Sequence, residues 1–364
     1  MTHAAASTTA EGTRRKPLII AGERIRLGQK RALRLQFGET YLGNPVTIPV
    51  YVHRARKNGP RVFLTGVMHG DELNGMGVVR HLLVEDPPKL LKGTLVLIPV
   101  VNVYGIERHT RYMPDRRDPN RCFPGSATGS LTSRLANALF TEVVQQCDYG
   151  IDFHSAALQR TNYPNVRADM RDPPTAALAR AFGAELVVHS KGPRGSLRRA
   201  AAGVGVPVIV VEAGEVWKIE PRVVAVGVRG ALNALMALGM VRGEPEQPAF
   251  QVAVNKKVWV RADQGGILGF HAKPGDLVRE GETLATIYGI FGREQTSLTS
   301  PVNGIVLGMT TMPAIAPGGP AYHIARLPKR KLSQIQRKMR QRPKVDPYQQ
   351  VQQDLATSIT IQEQ

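Results

Sequence analysis

The sequence predicts an α/β fold, a mixed sheet flanked by helices, followed by a smaller all-β module. Over residues 44–245, short apolar runs typical of strands alternate with segments of helical spacing. Such alternation favours a parallel or mixed sheet covered by helices. Near residue 250 the pattern changes to short runs separated by glycine-rich turns, which are typical of all-β structure. These two observations predict the fold class.

The elements of the first region follow from the spacing of their apolar residues. An alternating run predicts a strand at 46–55, and continuous apolar runs predict buried strands. The buried strands are predicted at 61–70, 93–102, 149–155 and 206–215, and the helices at 73–86, 130–147, 175–183 and 223–240. Ligands bind at the carboxyl ends of strands in open α/β sheets. The polar residues His69, His154 and Glu212 at three strand ends are therefore candidates for a site.

Four segments are expected along the chain. Residues 1–43 are predicted to be a basic, partly disordered extension, and residues 44–245 the catalytic domain. The polar, proline-broken stretch at 243–250 marks a boundary, after which residues 250–327 form the β-rich domain. Residues 328–364 are rich in basic residues and then in glutamine, so a basic, disordered tail is predicted there.

The chain is strongly basic, with 48 Lys and Arg residues against 29 Asp and Glu and a net charge of +19. Most of the excess lies near the two ends. Residues 326–344 hold nine basic residues and no acidic one, and residues 14–34 hold eight against Glu23. Such runs are typical either of solvated tails or of nucleic-acid binding. Because no aromatic residue interrupts the C-terminal run before Tyr348, a base-stacking surface is not supported.

The sequence also limits where the protein is expected. It holds no run of 18 apolar residues, so a membrane-spanning helix is not predicted. The first 17 residues lack the apolar core of a secretory signal. Two cysteines, Cys122 and Cys147, cannot build a disulfide framework. A reducing compartment, the cytoplasm, is the expected location.

The sharpest local signal is the string HGDE (69–72), directly after a predicted buried strand. A histidine and a glutamate three positions apart can direct two donors at one point. Neutral imidazole and carboxylate are both ligands of Zn²⁺, and a catalytic zinc takes three protein ligands and keeps one position open. The string DFHS (152–155) follows another strand and supplies a third donor. The sequence therefore predicts one Zn²⁺ per chain on His69, Glu72 and His154.

Two carboxylates complete the predicted site. Glu212 ends a third apolar strand, where a buried carboxylate is costly unless it has a partner or a task. It is predicted to take a proton from the activated water and pass it to the leaving nitrogen. The alternative is a salt-bridged glutamate at a strand end. Asp152 is predicted to orient a ligating imidazole, as metal sites usually require, with helix capping or solvent exposure as its alternative.

A cationic loop lies between the two ligand segments. Residues 108–121 contain five arginines. Arginine binds carboxylates with two parallel hydrogen bonds, and an arginine that points at the scissile carbonyl would stabilise an oxyanion. A solvated face is the alternative for this loop.

These motifs together resemble the succinylglutamate desuccinylase/aspartoacylase family of zinc carboxypeptidase-like hydrolases. The motifs are, in chain order, HGDE, TRY, DPNRCFPG, DFHS and VEAG, and the resemblance covers residues 45–327. It implies a zinc carboxypeptidase-like sheet, zinc on the three residues named above, and Glu212 as general base and acid. It further implies that Arg111 stabilises the oxyanion and that Asn120 and Arg121 hold a substrate carboxylate.

The sequence departs from the family pattern at two points in the cationic loop. Pro119 stands where the family usually has leucine, so the conformation of the loop is open. The spacing from Arg111 to Asn120 is longer than in aspartoacylase. Arg116 or Arg117 could therefore take the place of Arg111.

Two further resemblances concern the second half of the chain. The string GSLRR (195–199) resembles the family segment before the general-base strand, which would make Arg198 another substrate contact. The C-terminal module is similar to the family's β-rich domain, which is itself like a biotinyl/lipoyl-type barrel. Because Arg293 stands where a carrier domain has its modified lysine, a swinging-arm carrier is not expected. The module is expected to shape the mouth of the zinc site.

The leading hypothesis is a cytoplasmic zinc-dependent amide hydrolase that removes an acyl group from a small N-acylated amino acid. The first alternative, a zinc carboxypeptidase acting on short or glutamate-tailed peptides, uses the same residues. The second is a non-enzymatic nucleic-acid-binding protein that uses its basic ends. The acyl group, the substrate side chain and the oligomeric state, a homo-oligomer included, stay open.

Overall fold

Strands and helices alternate in the first two thirds of the computed structural model, which describes residues 16–341 and 346–357. The strands are β1 (Leu18–Ile20), β2 (Glu23–Ile25), β3 (Lys30–Glu39), β4 (Pro45–Arg54), β5 (Arg61–Thr65), β6 (Thr94–Ile98), β7 (Tyr149–His154), β8 (Arg160–Ala168), β9 (Leu186–His189), β10 (Val208–Gly214), β11 (Val252–Val254), β12 (Lys257–Arg261), β13 (Gly266–Phe270), β14 (Leu277–Val278), β15 (Thr283–Tyr288), β16 (Glu294–Thr299), β17 (Gly304–Thr310), β18 (Ala314–Ile315) and β19 (Pro320–Arg326). The helices are α1 (Asn74–Arg80), α2 (Val103–Glu107), α3 (Leu131–Glu142), α4 (Pro173–Phe182), α5 (Leu197–Gly203), α6 (Pro221–Ala237), α7 (Lys329–Arg340) and α8 (Pro347–Thr357).

The largest sheet has 13 strands, and its main path runs β12-β19-β17-β8-β10-β7-β5-β6-β4-β3. Strands β6, β5, β7 and β10 are parallel to their neighbours within this group, whereas β8 and β4 pair antiparallel at its two sides. The predicted α/β fold with a mixed sheet flanked by helices is therefore confirmed.

The central strands are apolar on both faces because helices cover both faces of the sheet. In β5, Phe63 packs into a cluster that includes Leu135 and Leu139 of α3. Its neighbours Val62 and Leu64 point the other way, into a cluster with residues of α1, α4 and α6. Alternate residues of a strand face opposite sides of a sheet, so a strand covered twice reads as a continuous apolar run.

Within the extension over residues 1–43, predicted to be basic and partly disordered, residues 16–43 contain the strands β1, β2 and β3, and residues 1–15 lie outside the described residues. Strand β3 pairs with β4 from Lys30 opposite His53 to Glu39 opposite Pro45. Leu33, Leu35 and Phe37 are buried on one face. This period-two spacing is a strand pattern, and the basic residues placed between the apolar ones concealed it.

The C-terminal module contains strands and no helix between residues 252 and 326, all of which the structure describes. Strands β12, β14, β17 and β19 join the large sheet, and β13, β15, β16 and β18 form a four-stranded sheet. The all-β prediction holds, but a biotinyl/lipoyl-type barrel is not confirmed. Because Gly308 of β17 pairs with Asn162 of β8, the module continues the first sheet. The division into domains at residues 245–250 stays a prediction.

The prediction of a disordered tail over residues 328–364 is wrong for the helices α7 and α8. Leu332 and Ile335 of α7 are buried against the C-terminal strands. Tyr348 and Val351 of α8 are buried with Tyr163 and residues of α6. An apolar residue at every third position anchors each helix, and the surrounding charge and glutamine concealed this spacing. Residues 342–345 and 358–364 lie outside the described part of the chain.

Two further predictions concern location. Neither Cys122 nor Cys147 takes part in a disulfide bond. Across the residues that the structure describes, no helix combines the length and the apolar character needed to cross a bilayer. The cytoplasmic location stays a prediction.

Candidate active site

The carboxyl ends of β5, β7 and β10 lie side by side because the three strands are adjacent and parallel. Thr65 at the end of β5 is opposite Asp152, and Glu212 of β10 is opposite His154. His69 follows β5 by four residues. The strand order therefore brings the polar residues of three distant segments to one edge of the sheet.

The loop after β5 needs a glycine to place its two polar residues. A Cβ on Gly70 would lie 1.9 Å from the backbone of Gly105, so no other residue fits there. This close approach holds the loop against α2, and Glu72 then lies just before α1. The His69 Nδ1 and Glu72 Oε1 atoms are 2.7 Å apart.

His69, Glu72 and His154 form one buried cluster. His154 Nδ1 lies 2.7 Å from Glu72 Oε2, so the carboxylate contacts one imidazole through each oxygen. One donor atom from each of the three residues lies within 4.8 Å of the others. The three residues that the sequence predicts as metal ligands are thus brought together as a His₂Glu site requires.

Carboxylates also hold the far nitrogens of both imidazoles. His154 Nε2 lies 2.8 Å from Asp152 Oδ2, and Asp152 accepts a hydrogen bond from the Thr65 hydroxyl at 2.7 Å. His69 Nε2 lies 3.0 Å from Asp118 Oδ1. Metal-ligating histidines usually have such carboxylate partners, which fix the tautomer and the ring orientation. Asp152 is fully buried and is neither a helix cap nor solvated; Asp118 was missed as a partner, although it begins the DPNR string.

The electrostatics of this inner cluster, defined as His69, Glu72, Asp118, Asp152 and His154, suit a divalent cation. Burial opposes ionisation of Glu72, but the two adjacent imidazoles hold its pKa well below the usual range. Burial opposes protonation of His154, but Asp152 and Glu72 hold its pKa well above the usual range. Metal binding requires both imidazoles to be deprotonated. In that state the three carboxylates carry three negative charges, and the adjacent Arg111 carries one positive charge. The remaining charge matches that of Zn²⁺.

Glu212 faces the cavity and has two polar partners from the neighbouring strand. Its Oε1 pairs with Arg167 Nη1 at 3.0 Å, and its Oε2 accepts from Asn162 Nδ2 at 3.2 Å. Its backbone carbonyl accepts from Asn165 Nδ2 at 3.2 Å. Glu212 is thus salt-bridged, as the alternative interpretation held, and it also lines the cavity that contains His69 and His154.

The cavity has a volume of about 370 Å³ and a cationic lining. Six basic residues line it, against Glu72 and Glu212 as the acidic ones. The six are Arg111, Arg121, Arg160, Arg167, Arg198 and Lys257. Since a lining of this charge attracts anions, the cavity favours a substrate that carries negative charge.

Arg111 lies at the inner cluster despite the long spacing to Asn120. Its guanidinium donates to Glu72 Oε1 and to Asp118 Oδ2, each at 3.0 Å. Arg116 and Arg117, the sequence-based alternatives, do not belong to the residues that line the cavity. The geometry therefore favours Arg111 among the three, while its role in stabilising an oxyanion stays a prediction.

Pro119 is compatible with the turn that positions the predicted carboxylate-binding pair. It is the first residue of a short helical turn, where proline is well tolerated. Asn120 is buried, and its Oδ1 accepts from the backbone N–H of Leu197 at 2.8 Å. The Arg121 side chain donates to the Asn120 carbonyl at 2.7 Å and is exposed at the cavity. Arg121 is therefore open to a ligand, whereas one side of Asn120 is already used.

Arg198 is buried beside the cavity on α5. It donates to the carbonyl and the hydroxyl of Ser190, at 2.8 Å and 3.0 Å. Burial and the nearby Arg167 lower its pKa to about 10, so Arg198 stays charged at neutral pH. The predicted substrate contact is thus a cation at the cavity wall, fixed by a backbone partner.

Sequence reasoning missed an entire side of the cavity, the cationic wall, defined as Arg160, Arg167, Lys257, Trp259 and His323. Trp259 and His323 are directly opposite in β12 and β19, and their rings stack at 4.2 Å. The Arg160 guanidinium lies 4.8 Å from the Trp259 ring centre. Burial and the nearby Lys257 lower the pKa of His323 to about 3. In the sequence, only the polar and basic residues of β8, such as Arg160 and Arg167, could have indicated this wall.

The comparisons with known proteins agree with this geometry. Residues 58–238 match the model of the succinylglutamate desuccinylase/aspartoacylase catalytic domain. An N-alpha-acetyl-L-2,4-diaminobutyric acid deacetylase of Halomonas elongata is 28% identical over 255 residues, which are 67% of this chain and 74% of that protein.

Two solved structures have the same fold. A succinylglutamate desuccinylase/aspartoacylase of Rhodobacter sphaeroides has a TM-score of 0.72 at 27% identity, over 82% of this chain and 95% of that one. A product-bound ectoine utilization protein of Ruegeria pomeroyi has a TM-score of 0.73 at 23% identity, over 86% and 98%. With five motifs in order, a matching catalytic domain and a shared fold, the chain belongs to the succinylglutamate desuccinylase/aspartoacylase family.

Proposed function

We propose that the protein is a zinc-dependent deacylase that hydrolyses the amide bond of a small N-acylated amino acid. The observation that carries this proposal is the convergence of a His₂Glu cluster, a carboxylate base and several arginines on one cavity. The Halomonas relative, named as a deacetylase of an acetylated amino acid, supports the reaction class.

The inner cluster fits a zinc ion in its donor set, its charge and its hydrogen bonds. His69, Glu72 and His154 would hold the ion, with Asp118 and Asp152 orienting the imidazoles. When bound, Zn²⁺ would supply Lewis acidity toward the amide carbonyl and make water a stronger acid. The ligands must be deprotonated to bind a metal, so metal affinity rises as pH rises through the pKa values of the imidazoles.

Glu212 transfers a proton from the attacking water to the leaving group. Its carboxylate takes a proton from the attacking water and delivers it to the leaving amide nitrogen, which cannot leave as an anion. Arg167 and Asn162 hold the two oxygens of Glu212. These partners fix the direction of the carboxylate before the substrate arrives.

Three arginines around the cavity act on the substrate. The exposed guanidinium of Arg121 binds the free carboxylate of the amino acid with paired hydrogen bonds, and Asn120 holds Arg121 through its carbonyl. Arg111 stabilises the negative charge that develops on the carbonyl oxygen. Arg198 contributes positive charge to the same wall.

The charge of the cavity favours a substrate with a second carboxylate. Arg111 and Arg167 are paired with carboxylates, and Arg121, Arg160 and Lys257 form no ion pair in the described part of the chain. An ammonium group, such as the side chain of diaminobutyric acid, would be repelled here. We therefore expect a substrate whose side chain or acyl group is acidic, in contrast to the substrate in the name of the Halomonas relative.

Steady-state kinetics on a matched substrate series tests the function. N-acetyl and N-succinyl derivatives of acidic, neutral and basic amino acids, with dipeptides beside them, would be compared by kcat/KM. The proposal predicts the highest kcat/KM for an acyl derivative with two or more carboxylates. Faster cleavage of dipeptides would instead favour the carboxypeptidase alternative, which uses the same residues.

A further inference from the structure

We propose that the exposed face of α7 binds the phosphate backbone of double-stranded nucleic acid without reading its sequence. The cationic face is defined as Lys329, Arg330, Lys331, Arg337 and Arg340. All five side chains are exposed. This surface does not depend on the deacylase activity, because none of the five lines the catalytic cavity.

The two sides of α7 differ in polarity, one being cationic and the other apolar. At about 100° per residue, the five cations fall within an arc of roughly 200°. Leu332 and Ile335, on the opposite side, are buried against the strands of the C-terminal module. The helix is therefore anchored by its apolar side, and its cations are held in a fixed array instead of on a free tail.

The cationic face is not neutralised by the protein. The segment 326–341 contains no acidic residue. Within the residues that the structure describes, none of the five cations forms an ion pair with a carboxylate. Lys338, on the same helix, is left out of the cationic face because it lines a second cavity with Glu246 and Asp346. A partner would therefore meet five uncompensated positive charges.

The spacing of these charges suits a duplex. A helix of 12 residues is about 18 Å long, and duplex DNA carries about one phosphate charge per 1.7 Å of its axis. Several phosphates thus lie within reach of one docked helix. No aromatic side chain lies on α7 to stack on bases, so contacts to the backbone, which carry no sequence information, are expected.

The chemistry of α7 disfavours the other anionic partners. A helix that binds a membrane surface inserts its apolar face into the lipid, but the apolar face of α7 is already buried inside the protein. A stable protein interface needs buried apolar or aromatic anchors at its centre, and the cationic face has none. Duplex nucleic acid, which requires charge alone, fits best.

Fluorescence anisotropy with a labelled short DNA duplex of arbitrary sequence tests the proposal. The full-length protein is titrated at several salt concentrations between about 50 and 200 mM, beside a variant with all five cations replaced by glutamine. Each lost phosphate contact lowers the slope of log affinity against log salt by about 0.9. We expect a slope that is smaller by about two or more, and an affinity that is lower on the order of tenfold or more.

A matched control removes the same number of positive charges from the segment of β2 and β3. It replaces Arg24, Arg26, Lys30, Arg31 and Arg34, all exposed near β3, with glutamine. The proposal predicts that this variant keeps most of the duplex affinity. Equal losses in both variants, an α7 variant that binds like wild type, or no duplex binding by the wild type would each overturn it. Thermal melting and deacylase rates establish that both variants are folded.

Anionic phospholipid vesicles, in a sedimentation assay with the same variants, provide the second arm. Vesicle binding that depends on the cationic face, without duplex binding, would assign this face to membranes and reject the proposal. Binding to the duplex and weak binding to vesicles would support it.

Discussion

The inner cluster and the cationic wall meet at one cavity but are built in different ways. The inner cluster comes from strand ends and adjacent loops of the first sheet, and its imidazoles and carboxylates contact one another at 2.7–3.0 Å. The cationic wall comes from β8 and from β12 and β19 of the C-terminal module, and the pairing of β8 with β17 joins these strands in one sheet. The first is suited to chemistry that needs fixed geometry, and the second to selecting a substrate by charge.

The largest effect is expected in the inner cluster. His154→Ala should remove most bound zinc and all measurable deacylase activity, because two remaining ligands hold zinc poorly. Metal analysis and a rate assay on the purified variant provide the measurement. His81→Ala, on a surface histidine that pairs with Glu85, is the control and should change neither. Full zinc content in His154→Ala would contradict the assignment of the metal site to the inner cluster.

The next largest effect is expected on kcat when Glu212, the proposed general base, is replaced. Glu212→Gln should keep zinc and stability but lower kcat by roughly 10²–10⁴-fold, since an amide cannot accept the proton of the attacking water. Glu85→Gln, on the surface, is the matched control. A kcat for Glu212→Gln within a few-fold of wild type would mean that Glu212 has only the structural role that its pairing with Arg167 provides.

The third effect concerns the support of the cationic wall by α8. The Tyr348 ring is buried 5.9 Å from the ring of Tyr163 in β8. Tyr348→Ala should lower the free energy of unfolding by about 3–5 kcal/mol, through lost burial and the cavity left behind. Chemical denaturation measures this change. Tyr41→Ala, at a fully exposed tyrosine, should have no effect, and equal stability of the two variants would show that α8 does not support β8.

The smallest effect is expected at the mouth of the cavity. Arg121→Ala should mainly raise KM, by roughly 10–100-fold, because a charge-assisted hydrogen bond contributes about 1.5–3 kcal/mol and serves ground state and transition state alike. Arg171→Ala, at an exposed arginine paired with Asp169, is the control. If kcat falls instead and KM is unchanged, Arg121 acts on the transition state and has exchanged roles with Arg111.

The inner cluster could be predicted from the sequence and the cationic wall could not, for a physical reason. His69 and Glu72 are three residues apart, and buried parallel strands bring their ends to one edge, so local patterns predict their meeting. Trp259 and His323 are brought to the cavity through the pairing of β17 with β8, and no local pattern specifies that register. Strand β3 and helices α7 and α8 were missed for a different reason, because charged residues or glutamines between their apolar residues concealed the apolar spacing.

The α8 contacts also correct an expectation about the C-terminal segment. As a disordered tail, residues 328–364 would be dispensable for catalysis. Tyr348 and Val351 are instead buried in a cluster with Ala213, the neighbour of Glu212 in β10. Removal of α8 would expose this cluster behind the catalytic strand, so deletion of the segment is expected to destabilise the enzyme.

The most direct test of the account is metal removal and return on the wild-type protein. The protein would be dialysed against a chelator, and deacylase activity would be followed as zinc is added back. The account predicts negligible activity without metal, and recovery that saturates at about one zinc ion per chain, the number that a single His₂Glu site holds. Full activity of the metal-free protein, or recovery that fails although the protein is folded, would contradict it.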